Sequence, residues 1–218
     1  MSEEMKVLSL CLAAAYLIGG IPFGFVIGKL RGVDVRTVGS KNIGATNVFR
    51  TVGKKWGFLA LFCDVLKGAI PTYIATRLVV NPEIPTYELT ALFTGLMCVI
   101  GHMLTPYMKF RGGKGVATGV GMLIGLMPPV AGLSFLVFVI VFALSNYISL
   151  GSCTAAAFLG VLVWIPVEAL SCKGFHDPVT ATLVSLLAVF IIYKHRSNIV
   201  RLVQGNENKI YIFKKPTK

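Results

Sequence analysis

Residues 115–167 contain no Asp, Glu, Lys or Arg. The whole chain has 14% charged and 55% hydrophobic residues, whereas soluble domains carry about 25% charged residues on average. An apolar helix of about 20 residues is long enough to cross the hydrocarbon core of a bilayer. The sequence therefore predicts an all-α integral membrane protein, and residues 1–218 are expected to form a single transmembrane domain.

Four other apolar runs are candidate spanning helices, and they cover residues 7–28, 57–80, 89–108 and about 179–193. The first run is too long for the core of a signal peptide and has no small-residue cleavage site after it, so it should remain as a helix. Within residues 116–167, the turn signals Pro128-Pro129 and Ser145-Asn146 divide the apolar run into three short pieces.

The distribution of Lys and Arg predicts which side of the membrane each loop occupies. These residues cluster in segments 29–56, 109–114 and 194–218, and the positive-inside rule places all three in the cytoplasm. Because residues 107–115 and the C-terminal tail then share a side, an even number of crossings separates them. We expect a seven-helix transmembrane bundle with the N-terminus outside and the C-terminus cytoplasmic. Five helices plus re-entrant segments within residues 116–144 are the alternative.

The stretch YMKFRGGKGVATGVG, residues 107–121, is the strongest candidate for a ligand site. Its glycines let backbone N–H groups approach an anion, and Lys114 adds a positive charge. A helix that begins near Val116 would direct its positive end at the same place. The spacing does not match a Walker A loop, so it predicts no nucleotide hydrolysis. A flexible loop between two helices is the simpler alternative.

Two further basic patches could bind a polar ligand. Residues 39–50 place short hydrogen-bonding side chains among glycines before Arg50, which offers a bidentate fork to phosphate. An ordinary solvated loop is the alternative there. The third patch begins where the last span ends, and His195, Asn198 and Arg201 or Leu202 would share one face if the helix continued. The alternative is an interfacial amphipathic tail.

Three ionisable residues fall within apolar runs. Asp64 and Lys67 are three residues apart on one expected helix, where they either form a neutral pair that braces the site or take part in catalysis. His102 is interpreted as a hydrogen-bonded packing residue rather than a base. The five cysteines are scattered, with neither metal spacing nor a disulfide framework. We expect no metal and no cofactor.

Together, in this order, the three patches resemble the bacterial acyl-phosphate-dependent glycerol-3-phosphate acyltransferase family. The stretches that carry the resemblance are GSKNIGATNVFRTVGKKWG, CDVLKG, GHMLTPYMKFRGGKGVATGVG and KHRSNIVRLVQGNENKI, and IGGIPFGFVIGKLRGVDVR is similar to the family's first helix. The combined motifs are highly specific and cover essentially the whole chain. One departure is Lys41, at a position where glycine is common in the family.

The resemblance implies transfer of a fatty acyl group from acyl phosphate to the sn-1 hydroxyl of glycerol 3-phosphate. The products would be lysophosphatidate and phosphate, in the first step of phospholipid synthesis. It also implies a multi-pass protein of the bacterial cytoplasmic membrane, with its active site on the cytoplasmic face. The expected partners are the two substrates and the lipid bilayer, with no nucleic acid. The oligomeric state is open and compatible with a monomer.

The same resemblance assigns roles to individual residues. Those that bind substrate or are needed for turnover are Ser40, Arg50, Lys114, His195 and Asn198. The residue pattern of the first two patches, apart from the resemblance, adds the expected substrate contacts Asn42, Thr46, Asn47, Gly112, Gly113, Gly115 and Thr118, of which Thr118 is also a candidate cap for the helix that follows. Structural support is expected from Asp64, Lys67, Arg201 and Glu207, with Glu207 paired to a nearby arginine.

Two other classes of function compete with this reading. A transporter for a phosphorylated solute would also need helices and cationic patches, but it should line a path with polar residues on both sides of the membrane. A lipid-phosphate phosphatase or a CDP-alcohol phosphotransferase is the second class, and the latter needs clustered aspartates for metal. Asp34, Asp64 and Asp177 are too dispersed for such a cluster. No histidine begins the H-x-x-x-x-D pattern of acyltransferases that use acyl-CoA.

Overall fold

A computed structural model of the chain describes residues 3–78, 87–165 and 178–211. Within these ranges all regular structure is helical, so the predicted all-α class is confirmed there. The helices form two compact units, Met1–Pro128 and Pro129–Lys218, and the single transmembrane domain stays a prediction. The helices of the first unit are α1 (Glu3–Gly20), α2 (Phe23–Leu30), α3 (Ala45–Thr51), α4 (Lys54–Leu78), α5 (Tyr87–Met103) and α6 (Val116–Leu126), with a 3₁₀ turn at Pro106–Met108. They are followed by α7 (Pro128–Ser145), α8 (Ile148–Leu162), α9 (Pro178–Lys194) and α10 (Arg196–Val203).

Several helical stretches are apolar and long enough to cross a bilayer. In the described part of the chain there are four, Leu8–Leu30, Lys54–Arg77, Leu89–Met108 and Pro128–Ser145. A fifth candidate combines α9 and α10, which meet at an angle of 55°. These stretches coincide with runs found in the sequence. The count of seven crossings and the sides on which the termini lie stay predictions.

The apolar region after residue 115 is divided where its turn signals lie. Helix α6 has 11 residues, α7 has 18 and α8 has 15, and the breaks fall before Pro128 and at Asn146-Tyr147. At 1.5 Å per residue α6 rises only about 16 Å, roughly half of the ~30 Å hydrocarbon core. Helix α6 is therefore a shorter apolar helix than the four candidate spans.

Close packing of α4 against α6 organises the first unit. A Cβ atom on Gly68 would overlap the carbonyl oxygen of Thr118, and one on Gly121 would overlap the carbonyl oxygen of Val65. Small residues at such contacts let helix backbones approach closely, which is typical of membrane helices. This contact holds the first turns of α6, and with them the end of the glycine-rich stretch, against α4.

The first apolar run is interrupted between α1 and α2, where Pro22 interrupts the helical hydrogen bonding. Two side chains from other helices and loops satisfy the carbonyl groups at the break. Thr105 Oγ1 donates to the Gly20 oxygen at 2.6 Å, and Lys67 Nζ donates to the Ile21 oxygen at 2.8 Å. Because an unsatisfied carbonyl inside a membrane costs several kcal/mol, these bonds make the break tolerable.

In the second unit, α8 packs against α9. Ser185 on α9 lies at this contact, where it accepts a hydrogen bond from Trp164 Nε1 at 3.0 Å and donates one to the Gly160 oxygen at 3.1 Å. The chain after α10 returns toward the beginning of α8, because the Ile210 N–H donates to the Asn146 oxygen at 2.9 Å. The segment after α10 is thus fixed within this unit.

Candidate active site

Asn47 organises the first basic patch. Its side chain is 1% exposed, and Oδ1 accepts the N–H of Ser40 at 2.8 Å. Its Nδ2 donates to the carbonyl oxygens of Val35, at 2.7 Å, and Val38, at 3.1 Å. The Asn47 amide therefore fixes the loop that carries Ser40 onto α3. This geometry makes Asn47 a support for Ser40, and its expected contact with substrate stays a prediction.

The other members of this patch divide between the surface and the loop itself. Ser40 is exposed, whereas Thr46 and Arg50 are half-buried and lie four residues apart on α3. Asn42 Oδ1 accepts the N–H of Gly44 at 2.8 Å, which closes a local turn. Lys41 has a φ of +57°, in the left-handed region where glycine is least strained. Lys41 therefore adopts a backbone conformation that suits glycine, the residue that is common at this position in the family.

A small apolar cluster fastens this patch to the rest of the first unit. Its buried members come from α2, the following loop, α3 and α4, and they are Ile27, Val35, Ile43, Val48 and Ala60. Met108, which directly precedes the basic residues of the glycine-rich stretch, packs against the same cluster. The structure therefore brings the first two patches, separated by about sixty residues in sequence, to one region of the unit.

The glycine-rich stretch is anchored to the end of α5 through its first two glycines. The Gly112 N–H donates to the Met103 oxygen and the Gly113 N–H to the His102 oxygen, each at 3.1 Å. These two N–H groups are committed to protein carbonyls, which differs from the phosphate cradle expected over residues 112–115. A phosphate contact through the backbone in this region is left to the first turn of α6, whose N–H groups have no acceptor within the helix.

Helix α6 begins without a side-chain cap. Gly115, with a φ of +85°, is the N-cap residue, so the capping role considered for Thr118 is not observed. Thr118 lies in the first turn, is fully buried, and its Oγ1 has no hydrogen-bond partner among the described residues. Buried hydroxyl groups are usually satisfied, so Thr118 stays a candidate for contact with a ligand.

Asp64, Lys67 and His102 form a buried cluster beneath the glycine-rich stretch. Lys67 Nζ lies 2.7 Å from Asp64 Oδ1, and both side chains are at most 3% exposed. The expected internal pair is confirmed. His102 Nδ1 lies 3.7 Å from the same Asp64 oxygen. The approach of His102 to Asp64 has no signal in the sequence, because the two residues lie on different helices.

The third patch is built around the bend between α9 and α10. His195 is the N-cap residue of α10, is 3% exposed, and its Nδ1 lies 2.8 Å from the Ile191 oxygen. A carbonyl oxygen only accepts, so Nδ1 carries the proton in this contact. The chain is helical again from Arg196, after a break at His195 that changes its direction by 55°.

Glu207 connects three side chains of the third patch. Its Oε1 accepts hydrogen bonds from Asn198 Nδ2 at 2.8 Å and from Ser149 Oγ at 3.1 Å, and its Oε2 accepts one from Arg201 Nε at 2.7 Å. The expected pairing of Glu207 with an arginine is confirmed. Sequence reasoning missed Ser149, which lies on α8 and gives no motif signal.

The protonation of Glu207 follows from these partners. Burial raises the pKa of Glu207, but the hydrogen bonds from Asn198, Arg201 and Ser149 and the charge of Arg201 together lower it more. The net pKa is therefore below the usual value of 4.5. Glu207 is a carboxylate at neutral pH, and in this form its two oxygens accept all three hydrogen bonds.

The predicted site residues fall in both compact units. The first unit holds Ser40, Arg50 and Lys114, with the expected substrate contacts Asn42, Thr46, Asn47, Gly112, Gly113, Gly115 and Thr118. The second unit holds His195, Asn198, Arg201 and Glu207. Each unit therefore contains an ordered cationic patch with a buried polar side chain at its centre, Asn47 in one and Glu207 in the other.

Known proteins resemble this chain over nearly its whole length. A family model described as glycerol-3-phosphate acyltransferase matches residues 9–205. A glycerol-3-phosphate acyltransferase of Aquifex aeolicus is 46% identical over 208 residues, which cover 94% of this chain and 100% of the relative. One from Acholeplasma laidlawii is 39% identical over 226 residues and covers 96% of each chain.

Solved structures give the same result at the level of the fold. The glycerol 3-phosphate form of PlsY (YgiH), an integral membrane glycerol 3-phosphate acyltransferase, has a TM-score of 0.82 and 40% identity, covering 94% of this chain and 96% of that one. The lysophosphatidic acid form has a TM-score of 0.80, 39% identity and the same coverage. The similar fold and the apolar helices make this a multi-pass integral membrane protein. The chain belongs to the glycerol-3-phosphate acyltransferase family.

Proposed function

We propose that this protein transfers a fatty acyl group from acyl phosphate to the sn-1 hydroxyl of glycerol 3-phosphate. The observation that carries the proposal is the similarity to two forms of PlsY, one with glycerol 3-phosphate and one with lysophosphatidic acid. These two molecules differ by one acyl ester, so they correspond to an acceptor and its acylated product. This chain aligns with both forms over 94% of its length.

The proposed donor suits a site built from cations and hydrogen-bond donors. The acceptor hydroxyl oxygen attacks the acyl carbonyl carbon, a carbon–oxygen ester bond forms, and the bond to the phosphate oxygen breaks. Phosphate leaves with the electron pair and the hydroxyl proton passes to a base. Because phosphate in a mixed anhydride is already a good leaving group, the reaction needs no covalent intermediate on a protein nucleophile. Cationic groups that stabilise the developing charge are sufficient.

Arg50 and Lys114 are the proposed phosphate-binding cations. Both are half-buried in the first unit, where the apolar cluster that packs on Met108 connects their segments. Partial burial strengthens the attraction between such cations and a phosphate, because the local dielectric constant is lower than in water. Ser40, held by Asn47, and Asn198, held by Glu207, would orient substrate by hydrogen bonds.

Two groups are candidates for the proton acceptor. If His195 is the base, its Nε2 must act, since Nδ1 is bonded to the Ile191 oxygen. A carbonyl partner does not stabilise an imidazolium as a carboxylate does. We therefore favour the second route, in which the dianionic phosphate of glycerol 3-phosphate accepts the proton. A His195→Gln protein with a kcat near that of the wild type would agree with this route and exclude His195 as the base.

We further propose that both substrates react on the cytoplasmic face of a bacterial inner membrane. The three Lys- and Arg-rich segments support this orientation by the positive-inside rule. Seven crossings with an external N-terminus remain our proposed topology, with five crossings and re-entrant segments within residues 116–144 as the alternative. Reporter fusions after residues 56, 126 and 218 distinguish them: cytoplasmic signals at 56 and 218 are expected, and an external signal at 126 requires α6 to cross.

The activity is tested with purified protein, glycerol 3-phosphate and either palmitoyl phosphate or palmitoyl-CoA. We expect stoichiometric release of phosphate and formation of lysophosphatidate with palmitoyl phosphate only. Arg50→Ala and Lys114→Ala should each lower kcat/KM by roughly 10²–10³-fold. Arg77→Ala and Lys55→Ala remove exposed cations elsewhere and should leave it within about two-fold. Turnover with palmitoyl-CoA at an equal rate, or no turnover with either donor, would refute the proposal.

A further inference from the structure

His102 lies at the end of α5, where it touches the glycine-rich stretch by two routes. Its carbonyl oxygen accepts the Gly113 N–H at 3.1 Å. Its ring lies directly beneath Gly113, because a Cβ atom on that glycine would overlap His102 Nε2 and the three nearest atoms would all belong to the ring. The position of Gly113 is thus fixed from the backbone and the side chain of one residue.

The other edge of the His102 ring faces the side chain of Asp64. Nδ1 lies 3.7 Å from Asp64 Oδ1, and the His102 and Asp64 side chains are 6% and 3% exposed. Asp64 is itself held by Lys67 at 2.7 Å, and Lys67 also donates to the Ile21 oxygen at the break in the first span. A ring with a buried carboxylate on one edge and backbone on the other has little freedom to rotate.

The residue after Gly113 is Lys114, so the ring sets the position from which Lys114 projects. His102 does more than fill space between apolar side chains. It contacts Gly113, whose neighbour Lys114 is the proposed phosphate-binding cation. Gly113 is buried and Lys114 is half-buried. Because the two residues are adjacent, a shift of Gly113 also moves Lys114 relative to the rest of the unit. Misplacement of a catalytic group by about 1 Å can cost 10²-fold in rate.

We propose that His102 is a positioning residue, which, oriented by Asp64, holds Gly113 so that Lys114 meets the phosphate group of a substrate. The inference rests on the proposed function, because it needs Lys114 to bind that phosphate. The His102 ring then acts by positioning Lys114 and does not contact the reacting atoms.

The test is a double-mutant cycle between His102 and Lys114, assayed with palmitoyl phosphate and glycerol 3-phosphate. His102→Phe keeps a ring of similar size but loses both nitrogens, and we expect it to raise the KM of one substrate roughly ten-fold. His102→Gln restores a polar atom near Nε2 and should recover part of the loss. In a Lys114→Ala background, His102→Phe should change KM and kcat by less than about two-fold, because its effect passes through the missing cation.

A purely structural role predicts a different pattern. Loss of packing lowers the thermal midpoint and the fraction of active protein, which reduces apparent kcat but leaves KM unchanged. Unchanged KM values, or effects of His102→Phe and Lys114→Ala that multiply independently, would overturn the inference. If His102→Phe does not fold, Gly113→Ala disturbs the same contact from the loop side and must show the same non-additivity with Lys114→Ala. A wild-type protein without acyltransferase activity would refute the proposed function instead, so the two failures are separate.

Discussion

Asn198 donates a hydrogen bond from Nδ2 to Oε1 of Glu207 at 2.8 Å, and both residues are buried. The same carboxylate binds Arg201 Nε at 2.7 Å. Because a carboxylate only accepts, it fixes which way the Asn198 amide points. The orientation of a proposed substrate-binding side chain on α10 therefore depends on a residue in the segment that follows the helix.

Replacement of Glu207 by Gln should impair both stability and turnover. All three partners of Glu207 are donors. The NH₂ group of Gln would face one of these donors, so a buried hydrogen bond is lost at a cost of about 1–3 kcal/mol. We expect a lower thermal midpoint in detergent and a kcat/KM reduced roughly ten-fold, measured by phosphate release. Asp34→Asn is the matched control, because it breaks the solvent-accessible pair with Arg36, whose side chain is 50% exposed. An unchanged midpoint for Glu207→Gln would contradict this account.

The depressed pKa of Glu207 also predicts how stability changes in acid. A carboxyl group with a lower pKa in the folded state contributes stability that is fully present above its unfolded pKa, about 4.5, and is lost as the pH falls through its folded pKa. The thermal midpoint of the wild type should therefore fall as the pH is lowered below about 4.5. Glu207→Gln lacks this group, so its midpoint should fall less over the same range. Parallel curves for the two proteins would exclude Glu207 as a source of the acid sensitivity.

The exposed Asp34 separates this effect from general titration. Hydrogen bonds and a charge interaction with Arg36 lower the pKa of Asp34 to about 2, but the pair is open to solvent, which screens it. Pairs open to solvent contribute little to stability. The thermal midpoint of Asp34→Asn should therefore change with pH as that of the wild type does between about pH 5 and 3, because solvent and salt screen the pair.

Local pattern was sufficient to predict the helices and the three patches, and contacts between distant segments were not predictable. Apolar run length and the pairs Pro128-Pro129 and Ser145-Asn146 mark helix boundaries because they act within a few residues. The Asp64–Lys67 pair was predictable for the same reason, since i and i+3 share a helix face.

The roles of Asn47 and Ser149 show where such reasoning ends. Short polar residues among glycines predict that Asn47 contacts substrate, but they do not predict that its amide is bonded to Ser40, Val35 and Val38. Ser149 bonds a residue 58 positions later. Neither contact has a spacing that a helix or turn imposes, so only the tertiary structure reveals it.

Lys41→Gly should stabilise the protein slightly. Lys41 is exposed and has a φ of +57°, a conformation that costs a non-glycine residue about 1–2 kcal/mol. Glycine removes this strain but gains about 0.5–1 kcal/mol of entropy in the unfolded chain, so the net effect is a rise in thermal midpoint of a few degrees at most. Lys55→Gly, in the first turn of α4, is the control and should lower the midpoint. The same sign for both variants would contradict the strain at Lys41.

Ser40 and Asn47 should separate activity from stability within one loop. Ser40→Ala removes an exposed hydroxyl but keeps the N–H that Asn47 accepts, so we expect the wild-type thermal midpoint with kcat/KM lowered roughly 10²-fold. Asn47→Asp keeps the acceptor but places a carboxylate against the carbonyl oxygens of Val35 and Val38. Repulsion and the loss of two buried hydrogen bonds should lower the midpoint and activity together. A stable Asn47→Asp protein with full activity would show that the amide does not hold the Ser40 loop in its working position.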